Sequence, residues 1–365
     1  MDAALEDRPR LRRALIALTP AALALAFTTA ILLAVGAAPG RAYLNILMGA
    51  FESPQKIADV VAASVLLVLC GAGMCITFTA GQWNVGVEGQ IVLGALFATW
   101  VARNLLWPQA PVLALMLVAG MVGGALWGLL AALLKVYGKV HEIFGGLGLN
   151  YVAQGLAIWL IFNPWKPADG ATMSGTDPFP DPAWMPRLGN LRVAPLAVIM
   201  AAVAVVGVFF LLSGTRWGLE LKALGKGFRS AFMLGVPSTP RLLIAFAACG
   251  ALAGMAGAIR CSARYGRMIP DISGGQGYLS LLVALLAAFR PQWVPPIALF
   301  FAAVGVGSPR LELNMQLDSA LGGVIRAAVV LAVMLVNGWR AVRERRRSQQ
   351  ALSAAPEPLG AEDTA

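Results

Sequence analysis

Gly81-Gln82-Trp83-Asn84-Val85-Gly86-Val87-Glu88-Gly89-Gln90 lies between two long apolar runs. Where lipid contact would favour leucine, this stretch sets two glutamines, an asparagine, a glutamate and the glycines Gly81, Gly86 and Gly89. Polar groups in hydrocarbon are costly unless they pair with one another or line a cavity. The flanking runs therefore decide the fold class, and the polar stretch points to what the chain does.

Working outward, the chain has 365 residues, of which 59% are hydrophobic and only 13% charged. Soluble domains carry about 25% charge. A bilayer core takes about 20 apolar residues per helix. By that rule candidate spans fall near 14–36, 57–79, 87–106, 111–134, 142–162, 193–212, 241–261, 277–290, 293–307 and 320–338. The expected fold is all-α: a polytopic transmembrane helical bundle of about ten spans. The segments 277–290 and 293–307 are short and interrupted by Pro291, Pro295 and Pro296, as one tilted or re-entrant hairpin would be.

The formal charge is +10. Its placement argues against nucleic acid. Arg8, Arg10, Arg12 and Arg13 precede the first apolar run, and Arg340, Arg343, Arg345, Arg346 and Arg347 follow the last. Arg216, Lys222, Lys226, Arg229 and Arg241 interrupt the middle. This is the positive-inside pattern of a membrane protein. It expects a basic cytoplasmic N-terminus over 1–13, a transmembrane domain over 14–340 and an unstructured cytoplasmic tail over 341–365. Alternation puts the proline-rich loop 163–192 outside and the basic loop 213–240 inside. Arg260, Arg264 and Arg267 fall outside against the rule, facing a partner, an anionic solute or only the membrane surface. The run from Leu15 to Ala38 exceeds a signal-peptide core and reads as an uncleaved first span.

Five spans on each side of loop 163–192 have the arithmetic of an inverted repeat. Gly274-Gly275-Gln276-Gly277 before one late run echoes Gly81-Gln82 and Gly89-Gln90 before an early one. Gly120, Gly124 and Gly128 recur every four residues, and Gly250, Gly254 and Gly257 nearly so. That spacing allows close helix contact in lipid and carries no chemistry. Cys70, Cys75, Cys249 and Cys261 fall in or beside apolar runs, and neither they nor the single histidine, His141, assemble a metal site.

In the first stretch, Gln82, Asn84, Glu88 and Gln90 suit a hydroxyl-rich or amide-bearing small polar solute. They equally suit a short cytoplasmic turn with a capping Asn and Glu. A second stretch runs from His141 and Glu142 to Asn150 and Tyr151. Glu142 suits a first helical turn; Asn150 and Tyr151 need partners two turns deeper, from protein or solute. The third, Ser273-Gly274-Gly275-Gln276-Gly277-Tyr278, adds Gln276 and Tyr278, with Asp271 nearby as cap or solute ligand. The fourth, Leu221 to Val236, carries Lys222, Gly225, Phe228, Arg229, Ala231, Phe232, Leu234 and Gly235. It reads either as an amphipathic helix lying on the membrane or as one inserted into a cytoplasmic partner's groove, with Ser230 as its cap.

Together these four stretches resemble the permease subunits of bacterial ABC importers of the branched-chain amino acid and simple-sugar superfamily, on the nucleoside or simple-sugar branch. The resemblance covers roughly residues 50–340 and is most specific at Gly81–Gln90. It implies a permease of the cell inner membrane with both termini cytoplasmic. Its implied partners are a second homologous permease, cytoplasmic ABC ATPase subunits, which bind ATP and Mg, and an external solute-binding lipoprotein. This chain binds no cofactor or metal under that reading, and it contains no GxxxxGK[ST] loop. The resemblance makes Gln82, Asn84, Glu88, Gln90, Asn150, Tyr151, Gln276 and Tyr278 pathway residues. Lys222, Gly225, Phe228, Arg229, Ala231, Leu234 and Gly235 become the coupling contact to the ATPase. Lys226-Gly227-Phe228 departs from the family's usual Asn-Pro turn, and Gly145-Gly146-Leu147-Gly148 from its usual residues before Leu149-Asn150-Tyr151. An ion-coupled secondary transporter using Glu88 or Asp318 is the rival reading. A membrane transferase acting on a lipid lacks the paired acids it would need.

Overall fold

The computed structural model describes residues 22–23, 25–167, 175–316, 318 and 320–353, with side chains beyond Val336 described only at Trp339. The basic N-terminus over 1–13, part of loop 163–192 and the last residues of the tail lie outside the described residues. The chain divides into two compact units, one of Leu44–Arg310 and one joining Met1–Tyr43 with Leu311–Ala365.

In the second of these, α1 (Leu25–Ala34) is followed at a bend of 111° by α2 (Pro39–Phe51), which runs on into the larger unit. The Thr28 and Tyr43 hydroxyls lie 2.6 Å apart across that bend. The unit's long helix, Leu321–Ser353, is apolar only to Val336. It continues as helix through the basic segment, where the sequence suggested an unstructured tail. Residues 341–353 are mostly Arg, Ala, Gln, Glu and Leu, all good helix formers.

The larger unit holds α3 (Pro54–Thr79), α4 (Val87–Asn104), α5 (Gln109–Val136), α6 (Glu142–Phe162), α7 (Pro195–Gly214), α8 (Arg216–Lys226) and α9 (Phe228–Met233). After them come α10 (Ser238–Ile259), α11 (Gln276–Leu286) and α12 (Val294–Gly307). One turn of π-helix, Arg260–Tyr265, prolongs α10. From α3 to α10 the buried residues are mostly apolar, but α4 also buries Glu88, Gln90 and Thr99, and α6 buries Asn150. The α3 helix is apolar nearly all round and is buried along most of its length, as such helices are.

The core lies among α3, α4, α5 and α10, and the two glycine stripes meet there. A Cβ on Gly124 would come 2.7 Å from Gly254 Cα, and one on Gly120 would come 2.7 Å from Ala258 Cβ. Gly94 of α4 abuts the Gly254 backbone. Three helices thus touch main chain to main chain, which is how small residues hold helices together where lipid supplies no hydrophobic drive.

Among the described residues, six helices are long and apolar enough to cross a membrane, or seven if the bent α1–α2 pair is one span. The shortfall from the expected count has physical causes. The α4 segment carries polar groups in its first turn and again at Arg103 and Asn104 at its end. The α11 helix has 11 residues, and at 1.5 Å per residue spans about 16 Å against a hydrocarbon core of about 30 Å. The apolar stretch Leu321–Val336 is short as well, whereas the expected span 293–307 lies within a counted one, Pro291–Met315.

The unit's two ends are distinct. At one, Gln109 donates to the Trp184 carbonyl (2.9 Å), Arg103 faces Asp177 (3.9 Å) and Arg264 faces Asp59 (3.9 Å). At the other, Lys135 pairs with Glu142 (3.1 Å), and Phe78 stacks on Phe289 with ring centroids 4.8 Å apart.

Candidate functional site

The α3 helix ends at Thr79, and the chain turns at Gly81, whose φ is +73°. It then doubles back, so that Asn84 reaches Cys249 of α10 and α4 starts inside the bundle. Gln90 faces Gly128, which lies eight residues before the end of α5, or about 12 Å by helical rise. A helix that starts at such depth leaves first-turn N–H groups without partners and without water. The Asn150 side chain of α6 supplies one answer. Its Oδ1 accepts from Gly89 N (2.9 Å), while its Nδ2 donates to Val85 O (2.9 Å) and to the Tyr278 hydroxyl (3.1 Å).

Glu88 supplies the other. Its two carboxylate oxygens accept from Gly275 N (2.8 Å) and Gly277 N (2.7 Å), at the buried start of α11. A carboxylate there meets both the free N–H groups and the positive end of the helix dipole. Gly277 must be glycine, because a Cβ would stand 2.9 Å from Glu88 Cα. Gly274 and Gly275, with φ of +56° and +69°, turn the chain into α11, and Asp271 accepts from Gly274 N (3.1 Å).

Asn84 and Gln90 close the arrangement with a reciprocal amide pair, Nδ2 to Oε1 at 3.1 Å and Nε2 to Oδ1 at 3.0 Å. They are 1% and 0% exposed. The alternatives for this stretch were a pore lining and a turn with capping Asn and Glu. Asn84 precedes α4, so it shares no helical face with Glu88 and pairs with Gln90 instead. Glu88 caps a helix, but a distant one. Gln82 donates to Ala80 O (3.3 Å), and its buried Oε1 has no partner among the described residues.

Asn150 is buried, but Tyr151, expected to be buried with it, is 78% exposed. Adjacent helical residues point about 100° apart, and on α6, which the bundle covers on one side only, the turn that buries Asn150 leaves Tyr151 outward. Gln276 is half-buried, and Tyr278 is 40% exposed on the same side as its contact with Asn150. His141 caps α6 by accepting from Ile143 N (3.4 Å). Three members of the arrangement carried no sequence signal of their own: the Val85 carbonyl, the Cys249 thiol, and the Gly275 and Gly277 amides as one acceptor's partners. The motif glycines were the only hint.

The fourth stretch forms the helix pair α8–α9. Thr215 caps α8 by accepting from Gly218 N (3.1 Å); Ser230, expected as a cap, lies within α9. Leu221, Leu224 and Ala231 are buried and anchor the pair, whereas Lys222, Gly225, Phe228, Arg229, Phe232, Met233, Leu234 and Gly235 are exposed. Ala231 thus faces the chain's own interior. Glu220 pairs with Arg241 and with Arg216 (3.4 Å). The α8 backbone rests directly on the first stretch: a Cβ on Gly81 would lie 3.1 Å from Gly225 Cα.

At the opposite end, the described part of the proline-rich loop is strapped to the π-turn. Thr176 N donates to Met268 O (2.9 Å), Phe179 N to Gly266 O (2.7 Å) and Met185 N to Ser262 O (3.1 Å). Of the three arginines that broke the charge rule, Arg260 donates to Ser273 O (3.3 Å) and to the Tyr265 hydroxyl (3.4 Å), and Arg264 faces Asp59. Among the described residues, no group of three or more His, Cys, Asp or Glu could hold a metal ion.

Apolar spans around two buried helix starts, with an exposed helix pair at one end, define a multi-pass membrane protein of the transport class. The chain belongs to the branched-chain amino acid transport system / permease component family, whose pattern matches residues 56–343. It is a transport subunit and not an enzyme. It is 31% identical to a glucose ABC transporter permease protein of Haloferax volcanii, over 84% of this chain and 83% of that one. A guanosine ABC transporter permease protein of Bacillus subtilis is 25% identical, over 89% and 94%. A nucleoside ABC transporter permease protein of Lactococcus lactis subsp. cremoris is 23% identical, over 83% and 85%. No solved structure matches the chain.

Proposed function

We propose that this chain is one of two paired permeases in an ATP-driven importer that carries nucleosides or simple sugars across the inner membrane. The observation that carries this reading is the α8–α9 pair. Its inner face is anchored by Leu221, Leu224 and Ala231, and its tip exposes Phe228, Phe232, Met233 and Leu234 beside Lys222 and Arg229. An apolar tip ringed by basic groups suits insertion into a groove on a cytoplasmic ATPase. The end bearing α8 is then cytoplasmic, as are both termini, and the strap over 175–192 meets an external binding lipoprotein.

Ten crossings arranged as five plus five remain the topology proposed, with α4, α11 and the short apolar part of the long helix Leu321–Ser353 completing the count. The meeting of the buried starts of α4 and α11 supports an inverted repeat, because each follows a glycine-plus-glutamine break. Within the pathway set, Tyr151, Gln276 and Tyr278 present polar groups to the solute where the two permeases face each other. Asn84, Glu88, Gln90 and Asn150 hold that wall from behind, with Gln82 at its cytoplasmic edge. Sugar and nucleoside hydroxyls suit such hydroxyl and amide tips.

Gentle detergent extraction followed by co-purification tests the reading. ATPase subunits and a second permease are expected with the chain, and reconstituted uptake should require ATP and the binding lipoprotein. Uptake by this chain alone, driven by an ion gradient, would overturn it.

A further inference from the structure

The contacts around residues 78–90 have a pattern that individual contact roles leave unexplained. The α8 backbone touches this stretch at Gly81, with no side chain between Gly81 and Gly225 to absorb a displacement. The turn that follows is locked to α4 by the Asn84–Gln90 amide pair. From there both ends of α11 are held. Its start is held by Glu88 through Gly275 N and Gly277 N; its far end is held by Phe289, stacked on Phe78 in the last turn of α3.

The α11 helix is also bracketed by sharp backbone turns. Gly274 and Gly275 precede it with positive φ, and Ala288 and Phe289 follow it with φ of +49° and +61°. Left-handed backbone at two consecutive non-glycine residues is uncommon, and such residues cluster at switch regions. The α4, α5 and α10 helices are joined to one another backbone to backbone through their glycines. The α11 helix makes such a contact with α4 at its start, Gly277 on Glu88, and lies between two hinge-like turns that let it swing about that point, in the manner of hinge-bounded segments.

We infer that Glu88 is a positioning residue, tying the start of α11 to α8 through residues 81–90, so that displacement of α8 turns Gln276 and Tyr278. This rests on the reading of the chain as an ATP-driven permease. Glu88 touches no solute in this arrangement; it acts through α11.

The test uses the assembled importer in lipid nanodiscs, with Tyr278→Cys as reporter. All four native cysteines of this chain are buried, so the introduced thiol is its accessible one. Its maleimide labelling rate, read on this chain's own peptide, is compared between the nucleotide-free and the vanadate-trapped ATP states. A change of about fivefold or more is expected, the lower end of ordinary allosteric coupling. Adding Glu88→Gln, which keeps one acceptor oxygen, should shrink that change to within about twofold, while subunit stoichiometry and nucleotide trapping persist. Full retention of the change in this variant would overturn the inference, as would its absence in the Tyr278→Cys importer. Should Glu88→Gln fail to assemble, Phe289→Ala cuts the other tie, and an undiminished change there is equally fatal. Failure of ATPase subunits to accompany the native permease would reject the proposed function instead.

Discussion

The stretch Gly81–Gln90 and the tip of α9 are each set against their own polarity. The first buries amides and a carboxylate inside an apolar bundle; the second exposes Phe232, Met233 and Leu234 at the end of an amphipathic pair. In the first, every buried amide and carboxylate group but one finds a partner within the chain, so its cost is met by folding. In the second, no described residue covers the apolar tip, and it is this face that the proposed function gives to an ATPase. A polar break in a membrane sequence therefore signals a helix start to be capped as readily as a solute to be bound. An apolar break in a basic loop signals another protein.

The comparison breaks most sharply at Glu88. Glu88→Ala leaves the buried Gly277 N–H and the half-buried Gly275 N–H without an acceptor, and a buried group left so costs about 1–3 kcal/mol. The thermal midpoint of the detergent-solubilised permease should fall accordingly, and Glu88→Gln should fall less. A midpoint unchanged in Glu88→Ala would mean that water reaches the start of α11. The converse variant is Phe232→Asp with Met233→Asp and Leu234→Asp. It should leave the permease's own midpoint in place but weaken ATPase retention at least about tenfold, or 1.4 kcal/mol. Equal loss of fold and retention would erase the contrast between the two regions.

The amide pair sharpens the comparison further. A double-mutant cycle of Asn84→Ala and Gln90→Ala, read by unfolding, should return a coupling of about 0.6 kcal/mol and not above about 1.7, as for interhelical hydrogen bonds in other membrane proteins. The smallest effect lies on the surface. Arg310 donates to Glu52, with a second contact at 3.4 Å, and that hydrogen bond holds the Glu52 carboxyl below its ordinary value. A lowered acid stabilises the fold fully above its unfolded value, and this contribution is lost as pH falls through the folded value. Glu52→Gln should therefore lower the midpoint slightly at neutral pH and not at all once pH lies below the native carboxyl's range. The pair is exposed, so the difference will be small.

The apolar runs made the helices legible, since burial along α3, α5 and α10 follows composition directly. The glycine spacing of α5 and α10 announced a close contact, though not that each stripe was the other's partner. The span count was less legible. Hydropathy treats α4 as a lipid-facing run, and it has no means to see that its first turn is wrapped by α6 and α11. The residue types of the candidate site were legible too, because Asn84, Glu88 and Asn150 are conspicuous among leucines. Their partners were not, since Gly275 lies 187 residues from Glu88 and offers only a main-chain amide. Tyr151 was misjudged because its neighbour Asn150 drew it inward on paper, while helical geometry turns it out.

The strap at the other end has a consequence for how such a protein can diverge. Thr176, Phe179 and Met185 are fastened to the π-turn by main-chain atoms, which are the same whatever side chain is present. Pro178, Asp181 and Pro186 point outward from that fixed track. Descendants can rewrite those outward letters without loosening the seam beneath them, and under the proposed function a lineage could exchange its delivery partner while inheriting the rest of the molecule intact.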